Sequence, residues 1–378
     1  MATYFVRKSG NDANAGTSAG AAKLTIQAAV NLATTAGDIV YVGAGTYRET
    51  VTLAASGSSG SPIQIIGDYS GAQTGDAGVV RITGSNDDIT ATRTNCVAGV
   101  GKSFITLKLL TFDIASGGLV KFTESGGADF SDITVTQCHF QGNGATAAGL
   151  LIQNNTAAKK FSNITVTNCL FFGSRDHGVR FDVATENNTS AVTITNCIFM
   201  GQGGRGIYCG NAGGITVRNC LFLSTGYGGF DLPGTGTATA TVNNCVFMYC
   251  AISTSGAIRA QTAATITENY NSFFGNASDR SAVTAGANSV TRPMLFDPRW
   301  FFTLLGGGTL VSAFDPASYS SLVEYNSGTS APSTDLRGST VKGSFREWGP
   351  LEYDSTLSTS GGSALGLPIV GSAIVRGC

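Results

Sequence analysis

Between residues 130 and 250 the chain alternates short runs, apolar at every second position, with stretches rich in Gly, Ser, Asn and Thr. Ile133 and Val135, Ile164 and Val166, Val192 and Ile194, and Ile215 and Val217 interleave with polar residues, mostly threonines. That period of two predicts strands with one buried face and one outward face. Each run leads into one motif that is written five times: Thr136-Gln137-Cys138-His139-Phe140, Thr167-Asn168-Cys169-Leu170-Phe171, Thr195-Asn196-Cys197-Ile198-Phe199, Arg218-Asn219-Cys220-Leu221-Phe222 and Asn243-Asn244-Cys245-Val246-Phe247. The cysteines lie 31, 28, 23 and 25 residues apart. Asn271-Ser272-Phe273-Phe274 is a weaker copy, and Leu109-Leu110-Thr111-Phe112 is an upstream one. The Asn suits a turn because it tolerates the left-handed conformation and can hydrogen-bond to the next Asn in a ladder. The Cys and the Phe two residues later then point inward.

A third strand starts after a glycine, as in Gly178-Val179-Arg180-Phe181 and Gly206-Ile207-Tyr208-Cys209. Three strands and three turns in roughly 26 residues make one coil of a solenoid, and no coil buries its inner face unless others stack on it. No unit contains the 3.6-residue period that a helical or leucine-rich repeat requires. The seven motif copies mark seven coils, and the expected fold is all-β: a single right-handed parallel β-helix of about a dozen coils in all. Apolar spacing at Ile26, Ala29, Val30 and Ala33 predicts an N-terminal capping helix. The expected organisation is cap and first coil over 1–50, β-helix over 51–292, last coils and an irregular C-terminal cover over 293–356, and a Gly/Ser-rich tail with an apolar tip over 357–378.

Composition narrows the partners. Charged residues make up 12% of the chain and the formal net charge is −1, so no general field draws nucleic acid or anionic lipid. The basic pair Arg7-Lys8 follows a short apolar stretch, the reverse of a secretory leader, so cytosolic synthesis or an already removed leader is expected. The apolar stretch Ala364–Val375 holds Gly366, Pro368 and Gly371 and falls short of a membrane span, which takes about 20 residues. Five of nine cysteines share one inward position, where they act as small apolar residues, and a column of free thiols suits a reducing place of synthesis. The apolar tail and the aromatic residues Trp300, Phe301, Phe302, Phe314, Tyr319, Tyr325 and Trp348 point to 293–378 as the contact region for other virion or surface proteins, with self-association also open.

Tyr4 to Thr17, Leu24 to Val30 and Ala36 to Glu49 together resemble the N-terminal signature of pectate-lyase-like β-helix proteins. Ser61-Pro62-Ile63-Gln64-Ile65-Ile66-Gly67 is similar to the next coil of that group, and Glu347-Trp348-Gly349-Pro350-Leu351-Glu352-Tyr353 to its terminal strand. The group includes polysaccharide lyases, bacterial surface proteins and phage proteins, so the resemblance implies a fold and leaves the activity open. A lyase of this kind would use Ca²⁺ held by carboxylates together with a Lys or Arg base, and a hydrolase would use clustered aspartates. Neither cluster is visible in the repeats, and no cofactor is expected unless the protein is a lyase. Asp12-Ala13-Asn14-Ala15-Gly16 has the opening of a calcium loop but lacks the later acidic ligand, so a capped turn is expected; Lys23 and Glu49 show no partner.

Aligning the coils on the glycine before the third strand sets Leu151, Arg180, Tyr208, Asp231 and Arg259 in one outward column, with Asp176, His177 and Arg205 in adjacent loops. Arg180 and Asp231 would then lie roughly 10 Å apart, with Tyr208 between them. This spacing suits an extended sugar chain, although outward positions of any parallel sheet are polar as well. The favoured reading is a structural or adhesive protein of a virion or cell surface whose glycan contacts run across Asp176, His177, Arg180, Arg205, Tyr208, Asp231 and Arg259. The alternative is a polysaccharide lyase or glycoside hydrolase acting on an acidic polysaccharide.

Overall fold

The computed structural model describes residues 1–291 apart from the segments 126–128, 143–147, 155–159, 184–188, 234–237, 252–254 and 262–263. The C-terminal cover, the Glu347–Tyr353 strand and the apolar tail lie outside the described residues. Three all-parallel sheets of ten, nine and ten strands form the body, and successive strands of each sheet come from successive coils. The first sheet runs from Thr3–Val6 and Ile39–Val42 to Thr265–Asn269. The second is made mostly of three-residue strands, among them His139–Gln141, Leu170–Phe172, Ile198–Met200, Leu221–Leu223, Val246–Met248 and Ser272–Phe274, and ends at Val290–Thr291. The third includes Leu150–Asn154, Val179–Val183, Arg205–Gly210, Gly228–Leu232 and Ile258–Ala260. The chain is a right-handed parallel β-helix, and one strand from each sheet in turn makes a coil.

The repeated motif does what its spacing implies. Asn168, Asn196, Asn219 and Asn244 have φ between 53° and 58°, so each places the chain in the left-handed region at the corner between the first and second sheets. Asn219 Nδ2 donates to Asn196 Oδ1 at 2.7 Å, one rung of the expected ladder. Cys138, Cys169, Cys197, Cys220 and Cys245 are fully buried and unbridged, and each thiol lies within reach of a carbonyl of its own coil, such as Thr136 O for Cys138 at 3.3 Å. Burial drives their thiol pKa values well above normal in Cys138, Cys169, Cys197 and Cys220, which keeps them neutral and unreactive.

Two residues beyond each cysteine, the aromatic rings form a continuous column. Phe112, Phe140, Phe171, Phe199, Phe222, Phe247 and Phe273 stack with centroids 4.5–5.2 Å apart, nearly parallel from Phe140 onward. This column explains the glycine before the third strand. A Cβ on Gly178, Gly206 or Gly229 would stand 2.5–2.6 Å from the Cδ1 of Phe199, Phe222 or Phe247, so the glycine is needed for space and not for an unusual φ.

The ends of the stack differ. At the N-terminal end a helix spans Ile26–Val30, shorter than the apolar spacing suggests, yet Ile26, Ala29, Val30 and Ala33 are all buried over the first coil. Glu49 and Lys23 do have partners: the Glu49 carboxylate accepts from the N–H groups of Ile26 and Gln27 at 3.0 and 2.9 Å, and Lys23 Nζ donates to Asp12 O at 2.8 Å. Distance along the chain hid the first pairing, which needs the coil to close before Glu49 reaches the helix N-terminus. Asp12 accepts from Leu24 N, Thr25 N and Thr25 Oγ1, so this loop is a capped turn.

The last described coil breaks the repeat. Register puts Glu268 where earlier coils have Val217 and Val242, and Tyr270, with φ of 55°, takes the corner that Asn holds elsewhere. Asn271 therefore occupies the cysteine position, a reassignment of the weaker motif copy. Glu268, 3% exposed, accepts from Arg280 Nε at 2.7 Å, Asn271 Nδ2 at 2.7 Å, Gly286 N at 2.7 Å and Ser289 Oγ at 2.5 Å.

Two substitutions test this packing. Gly206→Ala is expected to cost about 1–3 kcal/mol of stability because Phe222 or the backbone must shift. Cys197→Asp is expected to cost more, about 3–5 kcal/mol, since it buries a charge without a partner. Chemical denaturation of both variants alongside Cys197→Ala checks the order; a Gly206→Ala protein as stable as the parent removes the spatial role given to that glycine.

Candidate functional site

The outward positions of the third sheet are set by the same register that builds the core. Leu151, Arg180, Tyr208, Asp231 and Arg259 lie side by side on five adjacent strands, the column that the sequence alignment expects. Lys121 continues it below Leu151 and Ser281 above Arg259. The loop entering the Val179–Val183 strand brings Asp176 and His177 to the same face, and Arg205, expected in a loop, is instead the first residue of the Arg205–Gly210 strand, so all seven candidate residues fall in one cluster.

Within the cluster the charged groups are locked to one another. Arg180 donates through Nε to Asp182 at 2.9 Å and through Nη1 to Asp176 at 2.8 Å. Arg259 grips Asp231 with two parallel bonds of 2.8 and 2.7 Å, and Arg205 Nε lies against the same carboxylate. Asp231 is only 1% exposed, so two guanidiniums close over it. Burial works against the Arg180 charge, but Asp182 and Asp176 outweigh it and hold its pKa above the ordinary value. Burial prevails at Arg205, whose pKa is lowered even with Asp231 beside it.

His177 and Tyr208 form the aromatic centre. Their rings stack at 4.8 Å with planes 5° apart, and the guanidinium carbons of Arg180 and Arg205 sit 5.8 and 5.5 Å from the Tyr208 centroid. The Arg205 N–H donates to His177 Nδ1 at 2.9 Å, and His177 Nε2 lies 3.1 Å from Asp176 Oδ1. The imidazole proton therefore belongs on Nε2, facing the carboxylate. Burial pushes the His177 pKa down to about 4; Arg180 and Arg205 add to this and Asp176 opposes it. The ring is neutral at pH 7, with both nitrogens engaged.

The candidates thus divide by exposure. His177 and Asp231 are buried and act as supports, whereas Arg180, Arg205, Tyr208 and Arg259 each keep part of their surface in solvent. Two members of the cluster are absent from the sequence-derived set. Asp182 stands two residues after Arg180 on one strand and so shares its face, a signal that the period of two carries. Tyr227 is 55% exposed and lies 5.8 Å from the Arg205 guanidinium carbon, on a loop whose path no local pattern fixes. Among the described residues no group of three or more His, Cys, Asp or Glu side chains is placed to hold a metal ion, and no helix is long and apolar enough to cross a membrane.

Residues 128–292 match the family model described as "Right handed beta helix region", which covers most of the coils that build this site. Comparison with curated proteins found no match. Among solved structures the chain is similar to a GH136 lacto-N-biosidase from Eubacterium ramulus, at 11% identity and a TM-score of 0.49, over 77% of this chain and 68% of that one. It is also similar to the pectate lyase Pel9A, at 16% identity and a TM-score of 0.48, over 94% and 97% of the two chains. A third likeness is to the ORF18 protein of Geobacillus virus E2, at 15% identity and a TM-score of 0.33, over 72% and 58%. These values are too low to transfer an activity.

The His177 environment gives a pH dependence whose sign is fixed. The folded pKa of about 4 lies below the ordinary 6.5, so the unfolded chain binds the proton first and stability falls as pH drops from about 6.5 to about 4. Replacing His177 by Gln is expected to flatten this part of the stability curve by a few kcal/mol at most. Denaturation midpoints of parent and His177→Gln measured across that range check it, and parallel curves would contradict the assignment.

Proposed function

We propose that this right-handed parallel β-helix is a binding protein of a virion or cell surface that holds an extended glycan along its third sheet without cleaving it. The stacked pair His177–Tyr208, flanked by arginines that carboxylates already fix in place, is the observation that carries this reading. A ligand meeting such a face loses little to ordering the protein, because the side chains are held before it arrives. Arg180 and Arg259 are three coil steps apart, roughly 14 Å, which matches a chain and not a single ring. Three guanidiniums, of Arg180, Arg205 and Arg259, are balanced by the carboxylates of Asp176, Asp182 and Asp231. That balance favours a hydroxyl-rich chain, which can accept from the guanidiniums and donate to the partly exposed Asp176 and Asp182, over a strongly anionic one.

The same geometry argues against turnover at this cluster. Proton abstraction beside a uronate needs a base that titrates near the working pH. His177 is buried, neutral and doubly hydrogen-bonded, and the arginines are paired. Hydrolysis needs two carboxyl groups free to flank an accessible bond, whereas Asp231 is enclosed by Arg205 and Arg259, and Asp176 and Asp182 are both bound to Arg180. The eight cysteines among the described residues are buried and unbridged, in keeping with assembly in a reducing compartment before display.

Affinity electrophoresis against neutral and acidic polysaccharides, with and without Ca²⁺, combined with an assay for unsaturated products and new reducing ends, tests this reading. Binding without product is expected, weakened at least tenfold by Arg180→Ala and by the surface change Tyr227→Ala, with the fold retained by circular dichroism. Product formation abolished by Arg180→Ala would establish an enzyme instead. Absence of binding to every polysaccharide tested would remove the glycan assignment.

A further inference from the structure

The charges of the candidate site balance as a whole but not along its length. In the coil that carries Val179–Val183, the single guanidinium of Arg180 pairs with two carboxylates, Asp176 and Asp182. Farther along the stack the ratio inverts, because the guanidiniums of Arg205 and Arg259 share one carboxylate, that of Asp231. Both meet the same oxygen, Asp231 Oδ2, so two cations are held side by side. Among the described residues no second carboxylate pairs with either. Burial lowers the pKa of Arg205, and Arg259 adds to this against the opposing pull of Asp231. The positive excess is also open to solvent: the Arg205 and Arg259 side chains are 16% and 20% exposed, whereas Asp231 is 1% exposed. Arg259 turns Nε and Nη2 to Asp231, and Arg205 turns Nε to it. That leaves Arg259 Nη1 and both Nη nitrogens of Arg205 without a hydrogen-bond partner among the described residues. The rings of Tyr208 and Tyr227, 5.5 and 5.8 Å from the Arg205 guanidinium carbon, wall this end of the site.

We infer that Arg205 and Arg259 form a subsite for one isolated carboxylate on an otherwise hydroxyl-rich glycan, with the sugar that bears it lying against Tyr227. The inference rests on the glycan reading above and adds to it what the ligand carries and where. Guanidinium N–H groups match a carboxylate in a planar fork, and such charge-assisted bonds are roughly twice as strong as neutral ones. Asp231 holds both guanidiniums before the ligand arrives, so the donors are aligned without further ordering. A densely charged chain is disfavoured by the other end of the site. Arg180 and Asp231 are two coil steps apart, roughly 10 Å, so further acid groups on the ligand would fall beside Asp176 and Asp182 and be repelled. The subsite therefore selects sparse charge. One bound carboxylate also sets the register of the chain, which hydroxyl contacts repeated from coil to coil would leave free to slide.

Two measurements on the full chain test the subsite separately from glycan binding. In the first, ¹⁵N-labelled protein is titrated with glucuronate and, in a parallel sample, with glucose, and the arginine Nε–Hε signals are followed by NMR. Glucuronate is expected to shift the signals of Arg205 and Arg259 and to leave that of Arg81, which Asp88 and Asp113 hold on another sheet, unchanged. Glucose is expected to move none of them. Unshifted Arg205 and Arg259 signals, or equal shifts with glucose, would overturn the inference. In the second, affinity electrophoresis compares gum arabic, a mostly neutral polysaccharide with scattered glucuronates, with its carboxyl-reduced form. Reduction is expected to weaken binding at least tenfold for the parent and less than twofold for Arg259→Gln, with the fold checked by circular dichroism. Equal binding of both forms by the parent would overturn the carboxylate subsite and leave glycan binding intact. Binding of neither form would also overturn the subsite, and the neutral polysaccharides would then decide the glycan reading by themselves.

Discussion

Everything in this molecule depends on the parallel backbone ladder between one coil and the next. It fixes the repeat along the axis at about 4.8 Å, and every side-chain column inherits that spacing. A phenyl ring stacks on its neighbour at nearly the same separation, which is why Phe140 to Phe273 can run unbroken with centroids 4.5–5.2 Å apart. The ring column then dictates glycine at positions 178, 206 and 229, where any Cβ would meet a ring edge. One geometric constraint therefore selects residues on two different sheets.

The same ladder that orders the core also orders the outer surface. Because register is in phase from coil to coil, residues separated by more than twenty positions in sequence, such as Arg180, Tyr208, Asp231 and Arg259, become neighbours without any dedicated loop. Ion pairs between coils then fix the outward side chains: Asp231 and Arg259 are 28 residues apart in sequence and doubly bonded in space. A rigid outer face is a by-product of a repetitive inner one.

Much of this was legible in the sequence, for identifiable reasons. The inward columns and the third-sheet column followed from a strict period of two inside each strand and a recurring motif between strands. The Asn corners followed from the left-handed tolerance of that residue. Pairings that depend on a coil closing on itself were not legible: Glu49 at the helix N-terminus, and Asp76 held by Arg7 at 2.6 Å across 69 residues. Burial of polar groups was hidden as well. His177 reads as a loop residue and Asp231 as an exposed acid, and only the arrangement of neighbouring coils encloses both. Asn271 was misplaced by one position because it mimics the corner residue that Tyr270 replaces.

A solenoid of near-identical coils has a translational ambiguity: sliding one segment by a full coil would set aliphatic side chains against aliphatic side chains and phenyl rings against phenyl rings. Glu268 breaks that symmetry. It stands in a column that holds Leu107, Val135, Val166, Ile194, Val217 and Val242 in earlier coils, and among the described residues its carboxylate accepts from Arg280, Asn271, Ser289 and the Gly286 N–H, all within 21 residues after it. A slipped arrangement would bury that charge among hydrocarbons, at a cost of several kcal/mol. Glu268 thus serves as a phase marker, giving one coil of a repetitive stack an identity that its neighbours lack.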